Sequence, residues 1–284
     1  MVNFRDFVTS GKAKEPHYLV IGHPVGHSLS PRMHRKALRH HRLDGDYLAV
    51  DLFPGDLTRF TSWINRDEFL GSNITIPYKR EFLSVVDRLD KTAKAAGAIN
   101  TIVKREGELV GYNTDVDGFR LPLESWRDQL EGESVIVFGS GGASRAVNHA
   151  LGQLGAGQII VVSRNPENLE ASDFIPCNYQ NWQAFAEEAV LLVNSTPLGM
   201  YPDISTSPVE DRDVHLLKDR ICYDLVYNPL QTKFLDQANQ AGARETIRGL
   251  DMFVSQGGRS FELWTGKRFP EEIMKFMETE LSKK

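Results

Sequence analysis

The sequence predicts an α/β protein of two domains, and three observations carry that expectation. Short apolar runs alternate with helical patterns, an order that argues for a mostly parallel sheet. At mid-chain, Val135 to Arg145 reads VIVFGSGGASR: four residues of buried-strand character, a glycine turn, then a helix-like run from Ala143 to Leu154. Strand, glycine turn and helix in that order open a dinucleotide-binding βαβ unit. The unit starts so late that a stretch of about domain size precedes it, and a nucleotide alone does not account for that stretch.

The 284 residues suffice for one large domain or two modest ones. A hydrophobic fraction of 41% with 25% charged residues is that of an ordinary soluble globular chain. The net charge of −5 argues against a general nucleic-acid binder. Two cysteines, Cys177 and Cys222, point away from a disulfide framework and toward a reducing cytoplasm. No run is apolar enough to span a bilayer, and Met1 opens no signal-peptide pattern, so no membrane partner is expected.

Residues Met1 to Pro16 are polar and mixed and read as a surface extension, with a short helix around Phe4 to Val8. Tyr18 to Gly22 is the first apolar strand. It leads through His23-Pro24-Val25-Gly26-His27-Ser28-Leu29 to Ser30, a capping hydroxyl, and Pro31, the first position of a helix to about His40. A strand (Tyr47 to Leu52), a helix (Leu57 to Trp63) and a strand (Phe69 to Ile76) follow. Ile99 to Val103 and Leu109 to Tyr112 pair around Glu106-Gly107. Phe119, Leu123, Trp126 and Leu130 share one face of a helix that ends near Gly132, and the domain crossing falls close to Asp115. Beyond the glycine turn, Ile159 to Ser163, Leu191 to Ser195 and Ile221 to Val226 are buried-strand candidates. Asn165 to Gln183 is short and polar and gives no clear place for a full crossover helix. A helix from Asp251 to Glu262, a turn at Trp264-Thr265-Gly266 and a terminal helix from Pro270 close the chain.

In the glycine turn, Gly139 allows the tight bend and Gly141 lets the backbone approach a pyrophosphate, whose oxygens the amides of the helix head hold. The third small position is Ser144 rather than glycine. Arg164 directly follows the strand Ile159 to Ser163. An acidic residue there would select NAD, whereas an arginine suits the 2′-phosphate of NADP. Alone, Arg164 is equally a solvated charge, and Glu167 and Glu170 nearby oppose a phosphate. Ligands of open α/β sheets bind beyond the carboxyl ends of strands, which puts Asn194-Ser195-Thr196-Pro197-Leu198-Gly199-Met200 beside the cofactor.

Ser28, Ser30, Asn73, Thr75, Asn100 and Asp115 all lie at or beyond predicted strand ends. Together they offer directional hydrogen bonds to a small polyhydroxylated ligand; singly, the serines, asparagines and threonine are ordinary turn or capping residues. Lys79 on its own is a solvated charge. His23, His27 and His34 form no metal site, because Pro24 and Pro31 break any common helix and no carboxylate or cysteine joins them. The cysteines read as packing residues.

Taken together, these motifs resemble the shikimate dehydrogenase family. GHPVGHSLSPRMH (Gly22 to His34) is similar to its GxPVxHSxSPxxH motif, and NITIPYK (Asn73 to Lys79) to its N-[VI]-T-x-P-x-K motif. GAINT (Gly97 to Thr101), GYNTDVDG (Gly111 to Gly118), GSGGASRA, NSTPLGM, DLVYNPLQT and Ser255-Gln256 continue the order over residues 18 to 268. The resemblance implies a discontinuous α/β substrate-binding domain, residues 1–114 plus 249–284, and an inserted Rossmann-like NADP-binding domain, residues 115–248. It implies reversible, NADP-dependent reduction of 3-dehydroshikimate to shikimate in aromatic amino-acid biosynthesis, without a metal, by a monomer or homodimer. On that resemblance Ser28 and Ser30 hold the substrate carboxylate, with Tyr227 near it. Asn73, Thr75, Asn100, Asp115 and Gln256 bind ring hydroxyls, and Lys79 and Asp115 form the catalytic pair. Gly139, Ser140, Gly141, Gly142, Ala143, Ser163, Arg164, Asn194, Thr196, Pro197, Val226 and Gly249 contact the cofactor.

The chemistry agrees with those residue types. The nicotinamide supplies hydride, and an ammonium meets the charge that develops on the ketone oxygen. Lys79 is expected to position and stabilise charge, sharing proton transfer with Asp115, inside a cleft that closes to exclude water. Two departures stand out. The family's phosphate-binding strand end reads NRT with a further basic residue, whereas Ser163-Arg164-Asn165 is followed by Glu167 and Asn168, which predicts a shallower preference for NADP. Asn165 to Gln183 is also shorter than the family's helical connection. Two rivals stay open: a relative that acts on quinate or prefers NAD, and a non-catalytic ligand-binding protein on the same fold.

Overall fold

Two separate sheets organise the chain. In the computed structural model, which describes residues 2–169 and 173–283, contacts divide it into one unit of Met1–Thr114 with Gln256–Ile273 and a second of Asp115–Ser255 with Met274–Lys284. This division differs from the expected domain limits at residues 249–255 and 274–284.

The first unit contains β1 (Val2–Asn3), α1 (Phe4–Thr9), β2 (His17–Gly22), α2 (Ser30–His40), β3 (Asp46–Asp51), α3 (Leu57–Trp63), β4 (Phe69–Ile74), β5 (Arg88–Leu89), α4 (Lys91–Ala96), β6 (Thr101–Arg105) and β7 (Glu108–Tyr112). Its sheet has the order β1-β3-β2-β4-β6-β7-β5. All neighbours are parallel except at β6, which runs against both β4 and β7. Every residue of β2 is buried, as expected of a central parallel strand covered on both faces. The β6–β7 hairpin turns through Glu106 and Gly107, both at positive φ, the conformation that matches the twist of a two-residue connection.

The N-terminal segment is not a surface extension. Val2 and Asn3 pair in register with Val50 and Asp51, and Phe4 and Phe7 are fully buried. Their rings meet Phe60 and Trp63 edge-on at centroid separations of 5.3 and 5.1 Å. The spacing of three puts both rings on one face of α1, and that face closes the core around Leu19, Ile21 and Val50. A short polar sequence hid two aromatic anchors.

The second unit continues with α5 (Thr114–Arg120), α6 (Arg127–Leu130), β8 (Ser134–Phe138), α7 (Gly142–Gln153), β9 (Gln158–Val162), β10 (Ile175–Cys177), α8 (Gln183–Ala186), β11 (Ala189–Asn194), β12 (Ile221–Asp224), α9 (Lys233–Ala241) and β13 (Glu245–Ile247). Its six strands are all parallel, in the order β10-β9-β8-β11-β12-β13. The helix expected over Phe119 to Leu130 is instead α5, a 3-10 stretch over Leu121–Trp126, and α6. Pro122 has no N–H to continue the α ladder, so the chain tightens there; Phe119, Leu123 and Leu130 still bury. Among the described residues, the segment after β9 holds a 3-10 turn at Pro166–Asn168 and then the edge strand β10, with no full crossover helix before it.

Two helices finish the chain, α10 (Gly249–Thr265) and α11 (Ile273–Leu281). The expected turn at Trp264 is helical, and Trp264 Nε1 donates to the Ile102 carbonyl at 2.9 Å; the helix ends before Gly266 at φ 68°. The division between units falls inside α10. Gly249 lies against the Leu225–Val226 backbone, where an added Cβ would come within 2.5 Å of the Leu225 carbonyl oxygen, and Arg248 pairs with Glu278 of α11 at 2.8 Å. These contacts explain why the head of α10 and α11 beyond Ile273 group with the second unit. Among the described residues no helix is long and apolar enough to cross a membrane.

Truncating Phe7 to alanine is expected to lower stability by about 3–5 kcal/mol, read as a fall in the urea midpoint of the transition that reports on the first unit. An unchanged midpoint would return residues 2–16 to the surface.

Candidate active site

In the first unit, strand ends deliver the polar residues to one place. The loop after β2 carries Ser28, half-buried, and Ser30, buried. Ser30 does not cap α2 with its hydroxyl. The helix follows Leu29, and the Ser28 hydroxyl accepts the Ser30 N–H at 3.3 Å instead, leaving the Ser30 hydroxyl to bond Tyr47. Burial holds the Tyr47 phenol well above its usual pKa range, so it acts as an O–H donor. It donates to Asn73 Oδ1 at 2.7 Å.

Asn73, at the end of β4, is only 7% exposed. Its Nδ2 reaches the Asn100 carbonyl (3.2 Å), Thr101 Oγ1 (3.0 Å) and Ser260 Oγ (2.9 Å). A carbonyl accepts only, so the Asn73 amide has one allowed orientation. Asn100 is turned the other way: its Oδ1 accepts the Thr114 N–H at 2.7 Å, with Thr101 and Thr114 hydroxyls at 3.0 and 3.1 Å. Ser260 closes the network, meeting Thr101 and Thr114 at 2.9 and 3.1 Å and donating to the Gln256 carbonyl at 3.1 Å.

Thr75 and Lys79 flank the buried Tyr78. Thr75 N–H bonds the Ile21 carbonyl at 2.8 Å, and the Lys79 carbonyl receives the Ile99 N–H at 2.7 Å, so backbone pairing fixes both half-buried residues. Lys79 belongs to the first unit, and half-buried Asp115 opens the second. Tyr227, also of the second unit, stacks on Phe253 at 4.6 Å, and burial raises its phenol pKa.

The histidines are used separately. His23 pairs with Asp51 at 3.1 Å. His27 is exposed. His34 is buried, lies flat on Tyr47 at 4.3 Å, and has no hydrogen-bond partner on either ring nitrogen. Burial pushes its pKa down to about 3. Both cysteines are free and buried, and burial pushes the Cys222 thiol up to about 12.

In the second unit, Gly139 turns the chain at φ 104°, where a side chain would also come within 2.8 Å of Ser195 and 2.9 Å of Thr196. Gly141 and Gly142 face open space at the head of the twelve-residue α7, with Ala143 half-buried behind them. Ser140 and Ser163 hydroxyls meet at 3.1 Å. Arg164 is exposed at the end of β9, near enough to Tyr179 to act on it electrostatically. Glu167 is exposed on the following turn; Glu170 lies outside the described residues. A glycine cradle open at a helix head, with an arginine in place of the acidic residue after the second strand, fits a dinucleotide that carries a 2′-phosphate.

The loop after β11 is set by Asn194, which is fully buried. Its Oδ1 accepts both the N–H (3.0 Å) and the O–H (2.6 Å) of Thr196, and its Nδ2 donates to the Leu198 carbonyl (3.1 Å) and Asp224 Oδ1 (2.9 Å). Pro197 is exposed on that loop, and Val226 is buried beside Gly249. Burial pushes the Asp224 carboxyl up to about 7 against three donated hydrogen bonds that pull it down.

Sequence reasoning passed over Tyr47, Thr101, Thr114, Ser260, Asp224 and Thr232. Four of them sit inside the quoted motifs GAINT, GYNTDVDG and DLVYNPLQT. Ser260 stands one helical turn beyond Gln256, a spacing that places both on one face. Tyr47 carried no signal beyond its strand.

The fold and its glycine turn define an α/β protein with a Rossmann-type nucleotide-binding unit. Comparison narrows the class. A family model described as the shikimate dehydrogenase substrate binding domain matches residues 20–102, and one described as the shikimate 5'-dehydrogenase C-terminal domain matches residues 249–275. A curated protein of Symbiobacterium thermophilum named shikimate dehydrogenase (NADP(+)) is 39% identical over 270 residues, covering 90% of this chain and 91% of the relative. The solved shikimate 5-dehydrogenase of Thermus thermophilus, in complex with NADP(H) and shikimate, is 35% identical with a TM-score of 0.80, over 94% of this chain and 99% of that one. A quinate dehydrogenase from Corynebacterium glutamicum in complex with NAD is 28% identical with a TM-score of 0.83, over 94% and 99%. The chain belongs to the shikimate dehydrogenase family.

His34 yields a pH prediction. Its folded pKa lies below the ordinary 6.5, so the unfolded chain binds a proton there that the folded one does not. Its contribution is complete above pH 6.5 and is lost as pH falls toward about 3. His34→Phe is expected to lose less stability across that window than the wild type, measured by urea unfolding at stepped pH. Parallel losses would show that His34 does not titrate with unfolding.

Proposed function

We propose that the protein is an NADP-dependent shikimate dehydrogenase, which reversibly reduces 3-dehydroshikimate to shikimate. One observation carries the reading: along nine-tenths of its length the chain is similar to relatives of that name and cofactor, at 39% identity in the Symbiobacterium protein. In this reading residues 1–114 and 249–284 form the substrate-binding domain and residues 115–248 the cofactor domain, with 249–255 and 274–284, which group by contacts with the second unit, packed on the cofactor side. The protein works in the cytoplasm, as a monomer or homodimer, on a small molecule.

Ser28 and Ser30 hold the substrate carboxylate, with Tyr227 beside it. Thr75, Asp115 and Gln256 contact ring hydroxyls together with the two asparagines. The opposed orientations of those amides support a division of labour. Asn73 Oδ1 accepts from Tyr47 and has a second lone pair for a ring hydroxyl, whereas Asn100, whose Oδ1 accepts Thr114, serves as a donor. A hydroxyl can satisfy both at once; an ether oxygen cannot, because it has no hydrogen to give.

Gly139, Ser140, Gly141, Gly142 and Ala143 cradle the pyrophosphate. Ser163 and Arg164 take the 2′-phosphate, and Asn194, Thr196, Pro197, Val226 and Gly249 line the rest of the cofactor site. NADPH, when bound, supplies the hydride that reduces the ketone carbon. Lys79 stabilises the charge that develops on the ketone oxygen and, with Asp115, delivers its proton. The quinate reading has weaker support: the relatives named for NADP-dependent shikimate oxidation and reduction reach higher identity than the quinate enzyme.

Initial rates of shikimate oxidation with NADP and NAD at matched concentrations test the reading; no rate with either, from folded protein, would end it. Lys79→Ala is expected to lower kcat by about a hundredfold or more with a much smaller change in KM for shikimate. Near-normal turnover with weaker substrate binding would contradict the role given to Lys79. Arg164→Ala is expected to raise KM for NADP by about 10–100-fold while leaving KM for NAD nearly unchanged. Equal losses with both cofactors would separate Arg164 from the 2′-phosphate.

A further inference from the structure

We propose that Asp224 is a positioning residue for the cofactor, acting through Asn194 to set the loop Ser195–Gly199. The inference rests on the cofactor role given to that loop.

The argument begins with the polarity of one amide. Asn194 holds Thr196 from both its N–H and its O–H, and only an amide oxygen can do that. The Nδ2 end must therefore face acceptors. One is the Leu198 carbonyl of the same loop, at 3.1 Å. The other is Asp224 Oδ1, from the neighbouring strand β12, at 2.9 Å. Asn194 and Asp224 are both fully buried, so no water can take over that task.

Asp224 is fixed in turn. Its Oδ1 also accepts the Val226 N–H at 2.9 Å, and its Oδ2 accepts the Thr232 O–H at 2.6 Å. Thr232 caps α9, where its hydroxyl accepts the Leu235 N–H at 3.3 Å. One carboxylate thus ties the ends of two adjacent strands to the head of a helix. The loop it anchors presses Thr196 against Gly139, the tight bend of the glycine turn. Val226, bonded directly to Asp224, lies against Gly249. Residues that the cofactor is expected to touch from three chain segments therefore depend on one group that does not itself line the site.

The test is the pair Asp224→Ala and Asp224→Asn in the full chain. NADP binding is measured by calorimetry without substrate, and KM for NADP and for shikimate by initial rates. Alanine removes the acceptor. It is expected to weaken NADP binding and raise its KM by about tenfold, with KM for shikimate within about twofold of wild type. Asparagine can keep its oxygen toward Asn194 and Val226 while its amide turns to Thr232, and is expected to restore NADP affinity to within about threefold. A purely structural role predicts lower stability with no selective effect on NADP, and that outcome would overturn the inference, as would alanine with wild-type NADP affinity. If the alanine variant does not fold, Thr232→Val removes one of the three bonds, and unchanged NADP affinity there would overturn the inference equally. Wild-type protein that binds no NADP would remove the cofactor reading and this inference with it. Wild-type binding with an indifferent Asp224 would remove this inference alone.

Discussion

The polar face of the first unit depends on one buried amide. Asn73 is buried at the end of a central strand, and an amide in such a place is tolerable only when its hydrogen-bonding groups have partners. Tyr47, Ser260, and the adjacent Asn100 carbonyl and Thr101 hydroxyl supply them from three different segments. Because each partner needs partners of its own, the demand spreads to Thr114, to Asn100 and to the backbone of Gln256. The result is a rigid set of amides and hydroxyls whose polarity is decided before any ligand arrives. That is the condition for reading hydroxyls one by one, since an amide free to flip would accept donors and acceptors alike.

The second unit meets the same requirement with different parts. Its glycine turn offers backbone N–H groups instead of side chains, and the bend at Gly139 leaves no room for a side chain beside Ser195 and Thr196. A carboxylate, rather than an amide, is the buried anchor of the neighbouring loop. A carboxylate accepts only, so it imposes direction on every donor around it. Buried polar groups are thus not incidental in either unit; they specify which end of each neighbouring group points outward.

What the sequence disclosed follows from the range of the interactions. The strands around Leu19 and Val137 are continuous apolar runs, and the glycine turn is a local backbone requirement, so both were legible. The arginine after β9 and the serine loop were legible for the same reason. Local pattern could not show that Phe4 and Phe7 face inward, because their partners Phe60 and Trp63 lie far along the chain. Pro122 breaks a helix whose apolar face is otherwise regular; there periodicity outweighed the missing N–H in the reading, though not in the fold. The residues that organise the candidate site were the least legible of all. Asn73 and Ser260 are 187 positions apart, and neither a strand pattern nor a helical one connects them.

That separation has a consequence for the order in which the protein is made. The second unit's sheet is complete once Ile247 has been synthesised, and its strands form one uninterrupted stretch of chain. The first unit begins earlier yet closes later. Until Ser260 and Trp264 leave the ribosome, Asn73 and Thr101 lack a bonding partner and the Ile102 carbonyl lacks its donor. Domains usually mature in the order in which they are translated; in this chain the half that is started first must wait, with its polar interior open, for the half inserted into it.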